Sequence, residues 1–381
     1  MFVKLNHTFK VFRRKIMEGK MKAGRLHAIN DIRCDEVDIP QIKDDEVLLK
    51  VYCAGICGSD LGRVFSTGTY SFPTTLGHEF GGEIVEIGKG VKDLDLREEL
   101  KIGQRVDVNP MTGCGKCKDC LNGNINLCDT YGYTGSRSDG GFGQYVAVKA
   151  TQCYVCPDDF SWDMICQIDP AVISLHGALR AGIKVNDAVV VFGTGPVGYY
   201  MVQWANICGA RMVIAVDIKD EKLDLIKKVG ATYTINSMGM TNEEVVAKIK
   251  EYAGEEGPEV CIEAAGSPIT FNQALQCLKK HGTFTCIGTP HGDVNILDKS
   301  YDKCILRKEL TIKGSWCYNF TPEYEEFCAT IDAAKKGLLD LTSIISHRFS
   351  VDEVKDAFDL IERKEFFNKI VITQDGYEPG K

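Results

Sequence analysis

The sequence lacks an apolar run of the ~18 to 20 residues that a membrane-spanning helix requires, so we expect no membrane partner. It also lacks an excess of positive charge, because 53 acidic residues outnumber 45 basic ones and leave a net charge of -8. This balance disfavours a general nucleic-acid binder, since nothing offsets the repulsion by phosphates. A local basic pocket for one small phosphate is still allowed. At 381 residues, 44% of them hydrophobic, the chain is long enough for two domains or one large one.

The start of the chain differs in charge from the rest. Residues 1–20 contain six basic residues and one acidic residue, without the continuous apolar stretch of a secretory signal. We expect a disordered extension here, with a basic targeting arm as the alternative. Because no export signal is recognisable, we expect a cytoplasmic protein whose 17 cysteines stay free or bind metal.

The pattern of apolar residues changes near residue 170. The first half shows short strand patterns, interrupted by a cysteine-rich loop at 111–130. Beyond the change, helical patterns alternate with predicted strands at 188–192, 212–216, 260–262, 283–287 and 310–313. Such alternation predicts βαβ units and a parallel sheet. From about residue 320 the tail returns to mixed helices and a final strand at 369–372.

A glycine-rich turn follows the predicted strand 188–192 and opens a helix. The string Gly193-Thr194-Gly195-Pro196-Val197-Gly198 fits G-x-G-x-x-G in the context that gives this pattern meaning. Gly193 allows the tight turn, Gly195 lets the backbone approach a pyrophosphate, and Gly198 lets helix and strand pack closely. The turn therefore predicts a dinucleotide site at a helix N-terminus.

Two residues beyond the turn belong to the same predicted site. Asp217 ends the next strand, 19 residues after Gly198, where a carboxylate binds the adenosine ribose. This carboxylate would repel the extra phosphate of NADP, so we expect NAD(H). Lys222 is assigned to the same cofactor site. An ordinary strand–helix turn with a solvated aspartate is the alternative.

The loop at 111–130 contains four closely spaced cysteines. Cys114, Cys117, Cys120 and Cys128 form C-x2-C-x2-C-x7-C. Four thiolates at this spacing can surround one tetrahedral Zn²⁺ without leaving an open position, which predicts a structural site. Disulfides or unused thiols are the alternative.

A second group of candidate ligands is scattered along the chain. Cys57 lies in Gly55-Ile56-Cys57-Gly58-Ser59-Asp60, and His78-Glu79 follows Gly77. A lone cysteine or histidine is usually a packed or solvated residue. The cysteine cluster and the dinucleotide turn in the same chain favour a metal site here.

From about residue 21 to the end, these motifs together resemble the zinc-containing medium-chain dehydrogenase family. The resemblance implies an α/β protein with two domains. Residues 21–172 and 318–381 would form a GroES-like, mostly-β catalytic domain that includes the zinc lobe. Residues 173–317 would form an NAD-binding Rossmann domain with a doubly wound parallel sheet.

The resemblance also assigns a catalytic zinc to Cys57, His78, Glu79 and Asp169. Polyol-type members usually have Glu-Pro where this chain has Asp169-Pro170. Asp169 is one methylene shorter, so it would bind the metal either directly or through a bridging water.

Two further residues match the family's proton-handling positions. Ser59 matches the hydroxyl that receives the substrate proton, and Asp60 matches the partner of the zinc-binding histidine. The histidine often found five residues after the zinc cysteine is Gly62 here, so the usual relay of the proton to solvent is shortened or rerouted.

Three strings resemble the sugar-alcohol members of the family: residues 57–61, residues 135–142, and residues 305–310 leading to 314–316. They imply a polyol or polyol phosphate substrate, such as galactitol 1-phosphate, oxidised with NAD⁺. The same chemistry on sorbitol, an aminocyclitol or L-threonine, and a non-enzymatic NAD(H) sensor, are the alternatives. Arg63 and Arg137 are candidates for binding a substrate phosphate, against the simpler interpretation of paired surface arginines. Family members are commonly dimers or tetramers, so we also expect a homo-oligomer.

Overall fold

The structure, a computed structural model, describes residues 18–321 and 324–381. The expected extension therefore lies outside the described residues except for 18–20, and the first strand already begins at Lys20. The first part of the chain has the strands β1 (Lys20–Ala28), β2 (Asp31–Asp38), β3 (Glu46–Gly55), β4 (Thr74–Thr75), β5 (Glu79–Ile87), β6 (Arg105–Val108), β7 (Met111–Thr112), β8 (Gly132–Tyr133), β9 (Tyr145–Lys149) and β10 (Cys153–Val155). Its helices are α1 (Gly58–Gly62), α2 (Lys118–Leu121), α3 (Trp162–Ile165) and α4 (Ile168–Ala181).

The middle of the chain alternates strands and helices. The strands are β11 (Ala188–Phe192), β12 (Met212–Asp217), β13 (Tyr233–Asn236), β14 (Val260–Glu263), β15 (Thr283–Cys286) and β16 (Thr311–Gly314). The helices are α5 (Pro196–Ile207), α6 (Asp220–Lys228), α7 (Asn242–Ala253), α8 (Pro268–Cys277) and α9 (Asp298–Ser300).

These six strands form one parallel sheet in the order β13-β12-β11-β14-β15-β16. All five residues of β11 are buried, as expected for a central parallel strand covered by helices on both faces. The order reverses direction at β11, so a crevice opens at the carboxyl ends of β11 and β14. The predicted doubly wound Rossmann sheet is confirmed.

The tail adds the strands β17 (Phe320–Thr321), β18 (Tyr324–Glu325), β19 (Ile345–Ser350) and β20 (Lys369–Thr373), with the helices α10 (Glu326–Lys335) and α11 (Val354–Glu362). It returns to the first part of the chain, whose main sheet has the order β10-β6-β5-β3-β20-β19, with β9 also paired to β3. In the antiparallel pairing of β20 with β3, Val371 lies opposite Gly55. The last strand thereby completes the sheet that carries the candidate site.

The predicted domain ranges stay predictions, but the elements show how the chain passes between them. Helix α4 runs without a break across the expected boundary at 172 and 173. It packs against both α5 and α10. None of the helices in the described part of the chain is long and apolar enough to cross a membrane.

Candidate active site and metal centres

The first candidate metal site forms where two neighbouring strands meet. Cys57 follows the end of β3, and His78 and Glu79 lie at the start of β5. Because β3 and β5 are antiparallel, with Gly55 opposite Glu79, their pairing brings these residues together. The ligand atoms of Cys57, His78 and Glu79 all lie within 4.8 Å of one another. Sulfur, imidazole nitrogen and carboxylate oxygen are the donors that Zn²⁺ takes in proteins, so the residues present fit the metal.

A glycine directs the chain into this site. Gly77 has φ +92°, and a Cβ there would come within 2.5 Å of the Phe142 ring. A larger residue would therefore be strained and would also collide with a buried side chain. His78, which follows directly, is 2% exposed.

Asp60 contacts both Cys57 and His78. Its Oδ2 accepts the backbone N–H of Cys57 at 3.0 Å, and its Oδ1 lies 3.4 Å from Nδ1 of His78. Burial alone would raise the pKa of Asp60, but the positive charges of His78 and Arg63 hold it below its usual value. Conversely, Asp60 and Cys57 outweigh burial and raise the pKa of His78 well above its usual value. The carboxylate is thus placed to hold the imidazole ring in one orientation.

The structure brings Ser59 and Arg63 together. Both lie along α1 and the π-helical turn 63–67 that continues it. Nη1 of Arg63 donates to Oγ of Ser59 at 2.9 Å and lies 3.4 Å from Oδ1 of Asp60. The Arg63 guanidinium, predicted to bind a substrate phosphate, therefore already has two partners within the chain.

Lys369 is a residue of this site that sequence reasoning missed. It is 1% exposed, and its Nζ bonds to Glu79 and to the carbonyl oxygen of Ile56, the latter at 3.0 Å. The charge of Glu79 outweighs burial and raises the pKa of Lys369. The sequence did contain a signal for it, because Lys369 is the first residue of the otherwise apolar strand β20. A solvated lysine is not expected in such a strand.

Asp169 lies in the first turn of α4, also within the site's surroundings. It is 1% exposed, and neither of its carboxylate oxygens has a hydrogen-bond partner among the described residues. Burial is the main cause that raises its pKa to about 7; His78 lowers it and Glu79 raises it. Asp169 is not a member of the three-residue cluster with ligand atoms within 4.8 Å. Its predicted role as a ligand, direct or through water, stays a prediction.

Aromatic rings lead from His78 to Arg137. The ring of Tyr133 lies 5.4 Å from that of His78, and the ring of Tyr131 lies 6.3 Å from that of Tyr133. The guanidinium of Arg137 stacks 4.0 Å from the ring of Tyr70 and 4.5 Å from that of Tyr131. Its Nη2 also donates to the hydroxyl of Tyr70 at 3.1 Å. Arg137 is exposed, unlike Arg63. The sequence did not point to these tyrosines.

The second candidate metal site is the four-cysteine lobe. The sulfur atoms of Cys114, Cys117, Cys120 and Cys128 lie within 4.8 Å of one another. Three of them accept backbone N–H groups from within the lobe, at 3.3 to 3.4 Å. Backbone N–H groups of Lys116 and Cys117 lower the pKa of Cys114 to about 6. These donors favour the thiolate form of Cys114, and four sulfur atoms so close together fit a closed zinc site.

The dinucleotide turn sits between β11 and α5. Gly193 has φ +86°, and a Cβ on Gly198 would collide with the carbonyl oxygen of Gly193, whereas a Cβ on Gly195 would meet nothing within 4 Å. The backbone at Gly195 is therefore the open approach for a pyrophosphate. Pro196 and Val197 begin α5, with the proline in its first turn. The residues present fit a dinucleotide.

Asp217 lies at the carboxyl end of β12, next to this turn. Its Oδ2 accepts the backbone N–H and the hydroxyl of Thr194, each at 2.8 Å. The carboxylate is thus fixed beside the glycine-rich turn, where the adenosine ribose of a dinucleotide lies. Lys222 follows in α6, half-exposed.

Comparison with known proteins gives matches over both parts of the chain. The family model of the alcohol dehydrogenase GroES-like domain matches residues 43–158, and that of the zinc-binding dehydrogenases matches residues 196–333. The galactitol 1-phosphate 5-dehydrogenase of Escherichia coli (strain K12) is 35% identical over 346 residues, covering 90% of this chain and 96% of that protein. A crystal structure of galactitol-1-phosphate dehydrogenase from Escherichia coli is similar with a TM-score of 0.85 and 34% identity, covering 93% of this chain and all of that one.

Two further relatives bear on substrate and cofactor. The sorbitol dehydrogenase of Bacillus subtilis (strain 168) is 31% identical over 348 residues, covering 89% of this chain and 93% of that protein. A crystal structure of a zinc-binding dehydrogenase from Sinorhizobium meliloti 1021, bound to NADP, has a TM-score of 0.83 and 32% identity, covering 93% of this chain and 99% of that one. Similarity of this degree is shared by proteins whose names give different substrates.

Proposed function

Because the chain belongs to the zinc-binding alcohol dehydrogenase family, we propose that it transfers hydride between NAD(H) and a secondary alcohol of a polyol or polyol phosphate. The observation that carries the proposal is the cluster of Cys57, His78 and Glu79, in a chain that also has Ser59 two residues after Cys57 and the dinucleotide turn. Zinc held by Cys57 and His78 would supply a Lewis acid that lowers the pKa of an alcohol, and NAD⁺ would supply the hydride acceptor.

The chain's own residues have separate tasks in this proposal. Ser59 takes part in the proton transfer. Its hydroxyl accepts the proton of the substrate alcohol and releases its own proton to solvent. Asp60 holds His78 in the orientation that a metal ligand needs. Glu79, and Asp169 directly or through water, adjust the metal's surroundings. The lobe cysteines would bind a second, structural zinc.

The proposed cofactor preference rests on Asp217. Its carboxylate is fixed by Thr194 at the carboxyl end of β12 and would repel the 2′-phosphate of NADP. We expect Asp217→Ser to raise the efficiency with NADP⁺ relative to NAD⁺ by about tenfold, which corresponds to ~1.4 kcal/mol of repulsion removed. The ratio of kcat/KM for the two cofactors measures this, and equal efficiency in the unmodified protein would contradict it.

The proposed phosphate-binding residue is Arg137. It is exposed, and Tyr70 and Tyr131 hold its guanidinium in place by stacking, which leaves N–H groups to meet a phosphate. The rings of Tyr131 and Tyr133 lie in contact between Arg137 and His78. We expect Arg137→Ala to lower kcat/KM for a polyol phosphate by about ten- to a hundredfold, the range of a lost charge-assisted hydrogen bond.

A substrate panel tests the function. Polyols and their phosphates, galactitol 1-phosphate and sorbitol included, are assayed with NAD⁺ and with NADP⁺ by following the absorbance of the reduced nicotinamide. Preference for a phosphate ester that disappears in Arg137→Ala supports the proposal. Preference for the free polyol supports a sorbitol-type activity instead. A protein that binds NADH and a single zinc per chain, and oxidises no polyol, aminocyclitol or threonine, would be a sensor.

We also propose that the chain is a homo-oligomer. Among the described strands β16 pairs with β15 alone and forms an edge of its sheet, with Ile312 in the strand and Trp316 just after it 42% and 52% exposed. An uncovered edge of this kind can pair with another chain. Light scattering after gel filtration would give the mass, and a monomer would contradict the proposal.

A further inference from the structure

Arg63 and Arg137 have the same side chain but different surroundings. The side chain of Arg63 is 18% exposed, and its Nη1 contacts both Ser59 and Asp60. Arg137 is exposed, and the one hydrogen bond that its side chain makes among the described residues goes to the hydroxyl of Tyr70. The two arginines are therefore not equivalent candidates for binding a phosphate.

The spacing along the chain explains why Arg63 reaches these partners. Ser59 and Asp60 precede it by four and three residues on continuous helical backbone, so all three side chains lie on one face. Oδ1 of Asp60 is 3.4 Å from Arg63 and also 3.4 Å from Nδ1 of His78. One carboxylate oxygen thus lies between the guanidinium and the candidate zinc ligand.

The hydrogen bond to Ser59 restricts what the serine hydroxyl can do. An arginine N–H can only donate, and a serine hydroxyl has one proton and two lone pairs. The bond at 2.9 Å occupies one lone pair of Oγ, so the serine proton points away from Arg63. One lone pair of the exposed hydroxyl is left to accept a proton.

The structure also leaves room where a relay residue would stand. Apart from its two chain neighbours, a Cβ on Gly62 would meet no side chain within 4 Å among the described residues. Arg63, the next residue, is the cation beside Ser59.

We propose that Arg63 is a positioning residue for Ser59, which orients the serine hydroxyl for the proton transfer, and that it does not bind the substrate's phosphate. This inference rests on the proposed function, in which Ser59 accepts the alcohol proton.

A double-mutant cycle tests it. Arg63→Ala should lower kcat by about ten- to a hundredfold, as expected when a charge-assisted hydrogen bond is lost, with KM for the alcohol changed less than about threefold. In a Ser59→Ala background the same change should cost less than about twofold, because its effect acts through Oγ. Arg63→Lys, which keeps a donor and a charge, should retain more activity than Arg63→Ala. Added guanidinium should restore part of the activity of Arg63→Ala but none of that of Ser59→Ala.

Matched controls exclude a merely structural effect. Arg33→Ala removes an exposed arginine that pairs only weakly, at 3.5 Å from Asp31, and should leave kcat unchanged. Zinc content per chain and NADH binding should be the same in Arg63→Ala, Arg63→Lys and the parent. Loss of zinc in both Arg63 variants would show that the residue holds the metal site, which overturns the inference.

The remaining outcomes are also decisive. Equal costs of Arg63→Ala with and without Ser59 would overturn the inference, as would a loss confined to KM for phosphate esters. Arg137→Ala, in contrast, should show that substrate-dependent loss whether or not Ser59 is present. A parent protein that oxidises no alcohol would contradict the proposed function and the inference together, whereas an active parent with additive costs contradicts the inference alone.

Discussion

The two candidate metal sites differ in how the chain brings their ligands together. In the lobe, four thiols come from residues 114–128, and N–H groups of the same loop support three of the sulfur atoms. The other site, which we call the cleft, contains Cys57, His78 and Glu79. These ligands come from two paired strands, and the charged side chains of Asp60 and Lys369 are buried around them. The ligands of the cleft are therefore placed by the sheet, whereas those of the lobe are placed by one short loop. Asn126 donates from this loop to the carbonyl oxygen of Trp316, and Asn124 accepts from Asn319. A metal held by the four thiolates would add its binding free energy to the stability of the folded loop. Losing a ligand should affect chemistry in the first case and folding in the second.

The largest effect is expected from the cleft ligands. Cys57→Ala or His78→Ala should remove one zinc per chain and lower turnover by about a thousandfold or more, since the Lewis acid contributes several kcal/mol to the transition state. NADH binding should survive, because the dinucleotide turn belongs to the other sheet. Elemental analysis and NADH fluorescence titration measure the two effects. Retained activity in either variant would remove zinc from the mechanism.

Substitution in the lobe should give the opposite pattern. Cys117→Ser should lower the free energy of unfolding by several kcal/mol, because a closed site contributes its binding energy to the folded lobe. The kcat of protein that stays folded should change less than about threefold. Urea unfolding with and without a chelator tests this. Cys208→Ser, at a cysteine outside both clusters, is the control, and full stability of Cys117→Ser after chelation would contradict the prediction.

The same contrast decides what the sequence could predict. The lobe follows from local spacing alone, and β11, the glycine turn and the parallel sheet follow from patterns within a few tens of residues. The cleft ligands needed the family resemblance, because Cys57 and His78 meet through strand pairing. Lys369 could not be assigned to Glu79, since the two are 290 residues apart and join only when β20 pairs with β3.

Strand β6 shows a second limit of sequence reasoning. Its alternation of polar and apolar residues, Arg105-Val106-Asp107-Val108, suggests that Asp107 faces solvent. Asp107 is instead fully buried, because α4 packs over this part of the sheet. Periodicity identifies the strand correctly but does not reveal that both of its faces are covered.

The next largest effect is expected from the buried ion pair of Glu79 and Lys369, which contributes to the stability of the cleft. Lys369→Met leaves Glu79 buried without its cationic partner, which typically costs ~3 to 5 kcal/mol of stability. The double change Glu79→Gln with Lys369→Met should regain part of this loss, since no unpaired charge remains. Urea unfolding of the metal-free proteins, in which no zinc neutralises Glu79, measures both. An unchanged midpoint in Lys369→Met would show that the pair does not stabilise the cleft.

The smallest effect concerns Asp107, which lies beside the cleft and has no counterpart in the lobe. Neither of its oxygens has a hydrogen-bond partner among the described residues, and burial, with Asp169 nearby, raises its pKa well above the usual value. The folded protein therefore holds a proton that the unfolded chain releases near pH 4, so this group's contribution to stability falls as pH rises above about 4.

We expect Asp107→Asn to remove that fall and to be more stable than the parent at pH 8 by about 1 to 3 kcal/mol, with little difference near pH 4. Asp169 has a pKa raised to about 7 and acts in the same direction. Because the two carboxyl groups interact, the comparison includes the response of Asp169 to the loss of the Asp107 charge. Urea unfolding across this pH range, with the exposed Asp159→Asn as control, measures the difference, and parallel pH profiles for the parent and Asp107→Asn would contradict the prediction.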